Sequence, residues 1–223
     1  MFKLNTELLF TWLSRFIVML ACMPVHEAAH AFAADRLGDP TPRNRGRLTL
    51  NPLAHLDLFG GILLITAGFG WAKPVPVTPG NFKNPKMGMA VTAAAGPLSN
   101  IIMAALLMTA FKAMGYSAQA GTVPGWFGPV ARAFFLMMSV NLYLAVFNLL
   151  PVPPLDGSRI FGAFLPDRVY FGLMRYERYI MIALIACVYL GAFGGILDAA
   201  AEGLFVFLDR VVTLPADLLM GGM

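Results

Sequence analysis

Charged residues are scarce in this chain of 223 amino acids, of which 13% are charged and 58% are hydrophobic. Soluble domains are roughly a quarter charged. The mean hydropathy of +0.71 therefore argues against a soluble globular domain and indicates an integral membrane protein. The length suits one compact bundle, so we expect a single membrane-embedded domain over 1–223, with a core at 8–165 and accessory helices at 169–213.

Cysteine is almost absent as well. Cys22 and Cys187 both lie in apolar stretches and form no CxxC pair, which argues against a disulfide framework and against a thiolate zinc site. The chain also lacks a basic stripe with interleaved aromatic residues, although its formal charge is +4 and its pI is near 9.3. Most basic residues cluster in short loops between apolar segments, as the positive-inside rule expects, so we predict no nucleic-acid partner.

Two histidines and a glutamate stand inside one of these apolar stretches, in the run His26-Glu27-Ala28-Ala29-His30. Histidines four residues apart lie on one face of a helix, so both imidazoles can bind a single metal ion. A glutamate directly after the first histidine is placed to take a proton from a metal-bound water. Such polar groups are unfavourable in hydrocarbon unless they are paired, coordinated or hydrated. The motif therefore predicts a metal centre within the membrane, rather than polar residues that only bridge helices.

The helix that carries this motif is predicted at 8–37, with a strong stop at Gly38-Asp39-Pro40. At 1.5 Å per residue it is about 45 Å long, which exceeds the ~30 Å hydrocarbon core. Asp35 and Arg36 should mark the membrane surface. The motif then lies roughly 8–15 Å inward from that end of the helix.

The other apolar segments predict an all-α integral membrane protein, a bundle of about four to five transmembrane helices. Full spans are expected at 87–115, 125–150 and 179–193, with a shorter terminal helix at 196–208. Region 43–79 should hold a re-entrant or β-hairpin segment. Within it, 58–71 is short for a span and has basic residues on both sides, and 47–50 alternates like a short strand.

A zinc ion with two histidine ligands needs a third protein ligand. Glutamate is nearly excluded, because only Glu177 and Glu202 follow Glu27 in the chain. The pattern HExxHxxGxxH fails too, since Ala33 and Arg36 stand at its glycine and its third histidine.

Aspartates remain as candidates for the third ligand. Asp35 and Asp39 lie at the end of the motif helix itself and are not expected to fold back onto it. Asp57 and the nearby His55 stay possible. Asp156 is better placed, because it follows a span that ends on the same membrane face and a proline-rich loop where the backbone can leave the helix.

Three motifs carry a resemblance to a known family, in the order that the family has them. They are His26-Glu-Ala-Ala-His30, Ala95-Gly-Pro-Leu-Ser-Asn100, and the stretch from Phe147-Asn148 to Leu155-Asp156-Gly157. Over about 10–195 the chain resembles the site-2 protease family of intramembrane zinc metalloproteases. It looks closest to the compact bacterial branch, without a PDZ or nucleotide-sensing domain.

The resemblance implies one zinc ion per chain, held by His26, His30 and Asp156, with Glu27 as the catalytic base and Asn148 near the scissile carbonyl. It implies hydrolysis of peptide bonds in or near transmembrane segments of membrane protein substrates. A multi-pass location in the bacterial inner membrane follows from the same resemblance. The count of basic residues places 35–86 and 157–178, and with them the active site, on the cytoplasmic side.

Several further residues have candidate roles. Asn148 is a candidate oxyanion donor, against an interhelical amide bridge. Asn100 follows Gly96 by one helical turn, and close helix packing is its favoured role over substrate binding. His55 either lines the entrance or caps a turn, and the turn is favoured. The stretch Arg47-Leu48-Thr49-Leu50 is a candidate edge strand that pairs with unwound substrate.

A second class of function is a metal-binding membrane transporter or scaffold without proteolysis, because intramembrane His and Asp also suit ion pathways. Transporters often have inverted repeats or paired broken helices, and the sequence shows neither. Glu27 favours the protease, since metal transport needs no acid–base carboxylate beside the ligands. The expected partners are a transmembrane protein substrate and the lipid bilayer, and the sequence sets no oligomeric state.

Overall fold

The computed structural model describes residues 6–67, 71–119, 121 and 123–220, and within these ranges all regular structure is helical. The helices are α1 (Thr6–Arg36), α2 (Thr41–Asn44), α3 (Pro52–His55), α4 (Leu58–Ala67), α5 (Pro85–Gln119), α6 (Phe127–Asn148), α7 (Asp156–Gly162), α8 (Asp167–Arg175), α9 (Glu177–Tyr189) and α10 (Gly194–Met220). A 3₁₀ turn at Pro79–Asn81 precedes α5. The all-α class predicted from the sequence is confirmed.

Within the ranges just given, three stretches of helix are long and apolar enough to cross a membrane: Arg15–Arg36 in α1, Pro85–Tyr116 in α5, and Phe127–Asn148, which is α6. The last two helices add a fourth crossing only when taken together, because they are bent by 84° at the break between them. The span expected at 179–193 is shorter than predicted, since α9 has 13 residues and covers about 20 Å. The chain is a multi-pass membrane protein, with three such crossings, or four, in the part of it that the structure describes.

Helix α5 is the centre of the bundle, because it packs against α1, α6, α7 and α10. The apolar core on its far half consists of Ala104, Leu107, Met108, Met138, Leu142 and Leu208, from α5, α6 and α10. On its near half, α5 faces the motif helix α1 and the short helix α7. The central helix therefore braces both elements that carry predicted metal ligands.

The segment predicted to re-enter the membrane turns back beside α1. Helix α4 has 10 residues, which cover about 15 Å, or half of the hydrocarbon core. Residues 68–70 lie outside the described ranges. Beyond them the chain has returned to the start of α4, since a Cβ on Gly60 would lie 2.1 Å from the Trp71 carbonyl oxygen. The Lys73 amide then donates to the His55 carbonyl at 2.8 Å, on the side from which α4 began.

An arginine from α1 caps the C-terminal end of α4. The Arg15 guanidinium donates to the carbonyl oxygens of Ile65 and Thr66 at 2.9 and 3.2 Å. Carbonyls in the last turn of a helix have no partner within the helix, so they need one from elsewhere. Arg15 therefore ties the end of α4 to the start of the apolar stretch of α1.

The β-hairpin and the short strand predicted at 47–50 are wrong, because the described residues contain no strand. Arg47 is buried, and its guanidinium donates to the carbonyls of Ala54, Lys73 and Pro74. The segment 71–78, which supplies two of these carbonyls, has no regular secondary structure and contains two prolines, and proline has no N–H to donate to a strand ladder. The loop therefore wraps around one inward-facing cation instead of pairing backbone with backbone.

Asp39 ties the end of α1 to the chain that precedes α5. Its buried carboxylate accepts hydrogen bonds from the Thr41 amide and hydroxyl, the Thr78 amide and the Asn81 side chain, at 2.5–3.1 Å. Burial alone raises the pKa of the Asp39 carboxyl, but these donors outweigh burial and hold the pKa below its ordinary value. Asp35 is used nearby, in an ion pair with Arg43. Both carboxylates therefore bind partners outside the motif and do not fold back onto it, as expected.

Candidate metal centre

His26 and His30 point from one face of α1 towards a common position. Their Nε2 atoms are 3.0 Å apart, and their rings meet nearly at right angles with centroids separated by 4.6 Å. Both side chains are buried, with 9% of each residue exposed. Continuous helix through the motif produces this arrangement, because residues four apart are stacked one turn above each other.

Asp156 completes the group from a distant part of the sequence. It is the first residue of α7, and its Oδ2 atom lies 3.3 Å from the Nε2 atom of each histidine. Among the described residues, these three side chains are the group of metal-ligating atoms that comes together, and neither Asp57 nor His55 belongs to it. The third ligand favoured from the sequence is therefore the one that the fold brings to the histidines.

Close backbone packing fixes the position of Asp156. A Cβ on the next residue, Gly157, would lie 2.3 and 2.4 Å from the carbonyl oxygens of Leu149 and Leu150, so only glycine fits there. The Ser158 hydroxyl donates to the Leu155 carbonyl at 2.7 Å and closes the turn that starts α7. Helix α7 as a whole packs against α5. The proline-rich loop after α6 is thereby folded back onto the bundle.

The three ligand atoms fit a zinc ion. In a tetrahedral site with bonds of about 2.0–2.2 Å, neighbouring ligand atoms are about 3.3–3.6 Å apart. The observed separations of 3.0, 3.3 and 3.3 Å differ from this by a few tenths of an ångström. The Oδ2 atom of Asp156 is buried and has no hydrogen-bond partner in the described part of the chain, which is costly for a carboxylate without a cation. Two imidazoles and one carboxylate leave the fourth position open, as in catalytic zinc sites.

Helix α5 supports the two histidines from behind. His30 Nδ1 lies 2.7 Å from the Thr92 carbonyl oxygen, so Nδ1 carries the proton and the Nε2 lone pair faces the common position. One turn further, Gly96 touches both rings: a Cβ there would lie 2.4 Å from His30 Nε2 and 2.6 Å from His26 Cε1. The sequence indicated close packing at Gly96. It gave no signal for Thr92, because the backbone carbonyl makes this contact.

Glu27 lies beside this group, between the two histidines in sequence. Its side chain is partly exposed, and its carboxylate interacts electrostatically with the His30 imidazole. A partly exposed carboxylate next to buried ligands can exchange protons with water and with a substrate. Its predicted role as catalytic base remains a prediction.

Asn148, the other predicted catalytic residue, is the last residue of α6 and is partly buried. Its Nδ2 atom donates to the Leu144 carbonyl at 2.9 Å. A carboxamide has two N–H donors, so this bond leaves one of them for another acceptor. The oxyanion role also remains a prediction.

The residues predicted to bind substrate divide into buried and exposed side chains. Asn100 is buried in α5, one turn beyond Gly96, with 1% of its surface exposed. His55 is equally buried, and its Nε2 atom lies 2.8 Å from the Thr49 carbonyl, which matches the favoured turn-capping role. The side chains of Leu48 and Leu50 are exposed, 37% and 66% respectively. Substrate binding by these residues stays a prediction, and for Arg47–Leu50 the edge strand on which it was based is absent from the described residues.

Comparison with known proteins places this geometry in a family. The sequence pattern of Peptidase family M50 matches residues 14–190. The Bacillus subtilis (strain 168) protein named "Putative zinc metalloprotease YwhC" is 40% identical over 172 residues, which cover 76% of this chain and 77% of that protein. In Mycolicibacterium smegmatis, "Putative zinc metalloprotease Rip2" is 34% identical over 152 residues, or 66% of this chain and 54% of that protein. No solved structure matches the chain. The match to the M50 pattern over most of its length shows that this protein belongs to peptidase family M50, the site-2 protease family.

Proposed function

We propose that this chain is an intramembrane zinc metalloprotease that holds one zinc ion and hydrolyses peptide bonds in or near transmembrane segments of membrane proteins. One observation carries the proposal: His26 Nε2, His30 Nε2 and Asp156 Oδ2 converge inside a membrane-crossing helix bundle, next to the carboxylate of Glu27. Membership of a peptidase family and relatives named as zinc metalloproteases support the same reaction.

The residues of the site divide the chemistry between them. A bound zinc ion would supply Lewis acidity, which polarises a scissile carbonyl and acidifies water. Glu27 takes the proton of the attacking water on a carboxylate oxygen and passes it to the nitrogen of the leaving amine. Asn148 donates its second N–H to the oxygen of the scissile carbonyl as negative charge develops there. The Thr92 carbonyl keeps His30 in the tautomer that presents Nε2 to the site.

The depth of the site supports the proposed class of substrate. His30 precedes Arg36, at the end of α1, by six residues, or about 9 Å along the helix axis. A peptide bond must therefore reach below the membrane surface, which favours the end of a transmembrane segment over a soluble loop. Basic residues flank this end of the bundle, so we place the site near the cytoplasmic face of a bacterial inner membrane.

The test uses purified full-length protein in lipid vesicles with a single-span reporter substrate. Glu27→Gln should retain one zinc ion per chain and lower cleavage by about 10²–10⁴-fold, because it removes proton transfer and keeps the ligands. Glu202→Gln is the matched control, since Glu202 is exposed on α10 and away from the site. Removal of zinc with a chelator should stop cleavage, and added zinc should restore it.

Two outcomes would overturn the proposal. Wild-type cleavage by the Glu27→Gln variant would remove the proposed base. A wild-type protein that binds zinc and moves it across vesicles, but leaves the reporter intact, would support the transporter instead.

A further inference from the structure

The contacts between α1 and α5 run in opposite directions along the two sequences. His30 meets Thr92, and both histidine rings, His26 included, meet Gly96, which lies four residues further along α5. One more turn in the same register brings Cys22 level with Asn100, about 6 Å deeper in the bundle than His26. The metal ligands therefore stand on a second polar layer that the proposed reaction does not use.

A third helix contributes to this layer. Asn141 of α6 donates from Nδ2 to the Cys22 sulfur at 3.0 Å and to the Met137 carbonyl at 2.8 Å. Cys22, Asn100 and Asn141 are all buried, with 1%, 1% and 0% of their surfaces exposed. We call these three residues the inner polar cluster. It joins α1, α5 and α6 directly below the metal centre.

The inner polar cluster has hydrogen-bonding capacity that the described protein atoms do not satisfy. Neither the Nδ2 nor the Oδ1 atom of Asn100 has a partner, and the Oδ1 atom of Asn141 has none. A buried polar atom without a hydrogen bond destabilises the folded protein. Apolar packing would avoid this loss, and the next layer has it: Val18 and Ala104, one turn deeper, are fully buried and apolar. Leucine or alanine at position 100 would avoid this loss, so the amides indicate a ligand.

We propose that the inner polar cluster binds ordered water inside the bundle, with Asn100 and Asn141 as its ligands. The unpaired groups are two carbonyl oxygens and one N–H₂ donor, and a water molecule offers two donors and lone pairs that match them. A metal cation fits less well, because the cluster has no carboxylate to offset the charge. The proposal concerns hydration of the bundle and does not depend on proteolysis.

The experiment is X-ray radiolytic labelling of the wild-type protein in lipid nanodiscs, read out by mass spectrometry. Ionised water oxidises sulfur side chains beside it, including buried ones next to bound water. Cys22 should be oxidised in spite of its burial. The internal control is Met138, which is equally buried but lies in the apolar core, and which should stay unlabelled.

Asn100→Leu should slow oxidation of Cys22 by about fivefold or more, since it removes the water's partners. Oxidation of Cys187, which is partly exposed elsewhere in the protein, should not change. Asn141→Leu provides a second variant if the first does not fold, and the wild-type comparison of Cys22 with Met138 needs no variant. The proposal is overturned if Cys22 in the wild type is oxidised no faster than Met138. It is also overturned if Asn100→Leu and Asn141→Leu both leave Cys22 oxidation unchanged, which would show that the amides do not hold the oxidising water.

Discussion

Gly96 packs against both histidine rings of the candidate metal centre, so Gly96→Ala tests the site without altering any predicted ligand. A Cβ at this position would lie 2.4 Å from His30 Nε2 and 2.6 Å from His26 Cε1. Ordinary contact begins near 3.4 Å, so the rings must retreat by about 1 Å. Metal–ligand distances tolerate only about ±0.2 Å. His30 cannot retreat freely, because its Nδ1 atom is bound to the Thr92 carbonyl.

We expect Gly96→Ala to weaken zinc binding by about 100-fold or more, beyond the usual effect of changing a residue that orients a ligand. Overpacking costs about 1–3 kcal/mol, but alanine gains about 1 kcal/mol over glycine within a helix, so the protein should still fold. Zinc affinity is measured by competition with a chelating indicator on the purified protein. Gly115→Ala is the matched control, since Gly115 lies in the same helix with nothing within 4 Å of its Cβ position. Equal zinc affinities for the two variants would refute the reasoning.

Three further predictions rest on other contacts. Gly157→Ala should release zinc, as measured by metal analysis, because its Cβ would press on the Leu149 carbonyl and displace Asp156; Gly172→Ala, with open space around it, should keep the metal. Arg15→Met should speed amide hydrogen exchange in 58–67 by about 10–100-fold, since hydrogen bonds to a charged group are worth about 1.5–3 kcal/mol, and unchanged exchange would contradict the capping role. Asp39 has a pKa below its ordinary value in the folded protein. The stability that its carboxylate adds is therefore complete above about pH 4 and is lost as the pH falls further. The melting temperature should drop more steeply between pH 5 and pH 3 in the wild type than in Asp39→Asn.

The motif helix was predictable because its signals are local. Apolar residues, the stop at Gly38 and the i, i+4 spacing of the histidines all act within one helix, and α1 extends over nearly the range expected. The third ligand was harder, because residue patterns alone left Asp57 and His55 open. The structure shows what occupies them: Asp57 Oδ1 caps α4 by accepting from the Gly60 amide at 2.9 Å, and His55 closes a turn with Thr49.

The strand at 47–50 could not be judged from the sequence, because four alternating residues fit a strand and a loop equally well. What decides the structure is Arg47, whose guanidinium collects carbonyls from two separate segments. These acceptors are backbone atoms, so the pattern of side chains in the sequence does not predict them. The same holds for Arg15, whose acceptors at Ile65 and Thr66 lie 50 and 51 residues away in sequence.

The last two helices were misjudged for a related reason. Apolar composition predicted a full span at 179–193, but α9 ends at Tyr189, and the chain changes direction by 84° before α10. Helix α10 is longer than expected and contributes Leu208 to the core with α5 and α6. Hydropathy reports whether a segment suits lipid, and it does not report where packing against neighbours will bend it.

The histidines and the aspartate of the metal centre belong to segments more than a hundred residues apart in the chain. An ion bound by all three would cross-link the polypeptide, because it closes a loop that contains the re-entrant helix α4 and the two central crossings, α5 and α6. A cross-link that closes a loop of this length lowers the entropy of the unfolded chain. In the chain-entropy account this stabilises the folded protein by about 4–5 kcal/mol. Metal supply would then govern how long the protein survives in the membrane, as well as whether it is active.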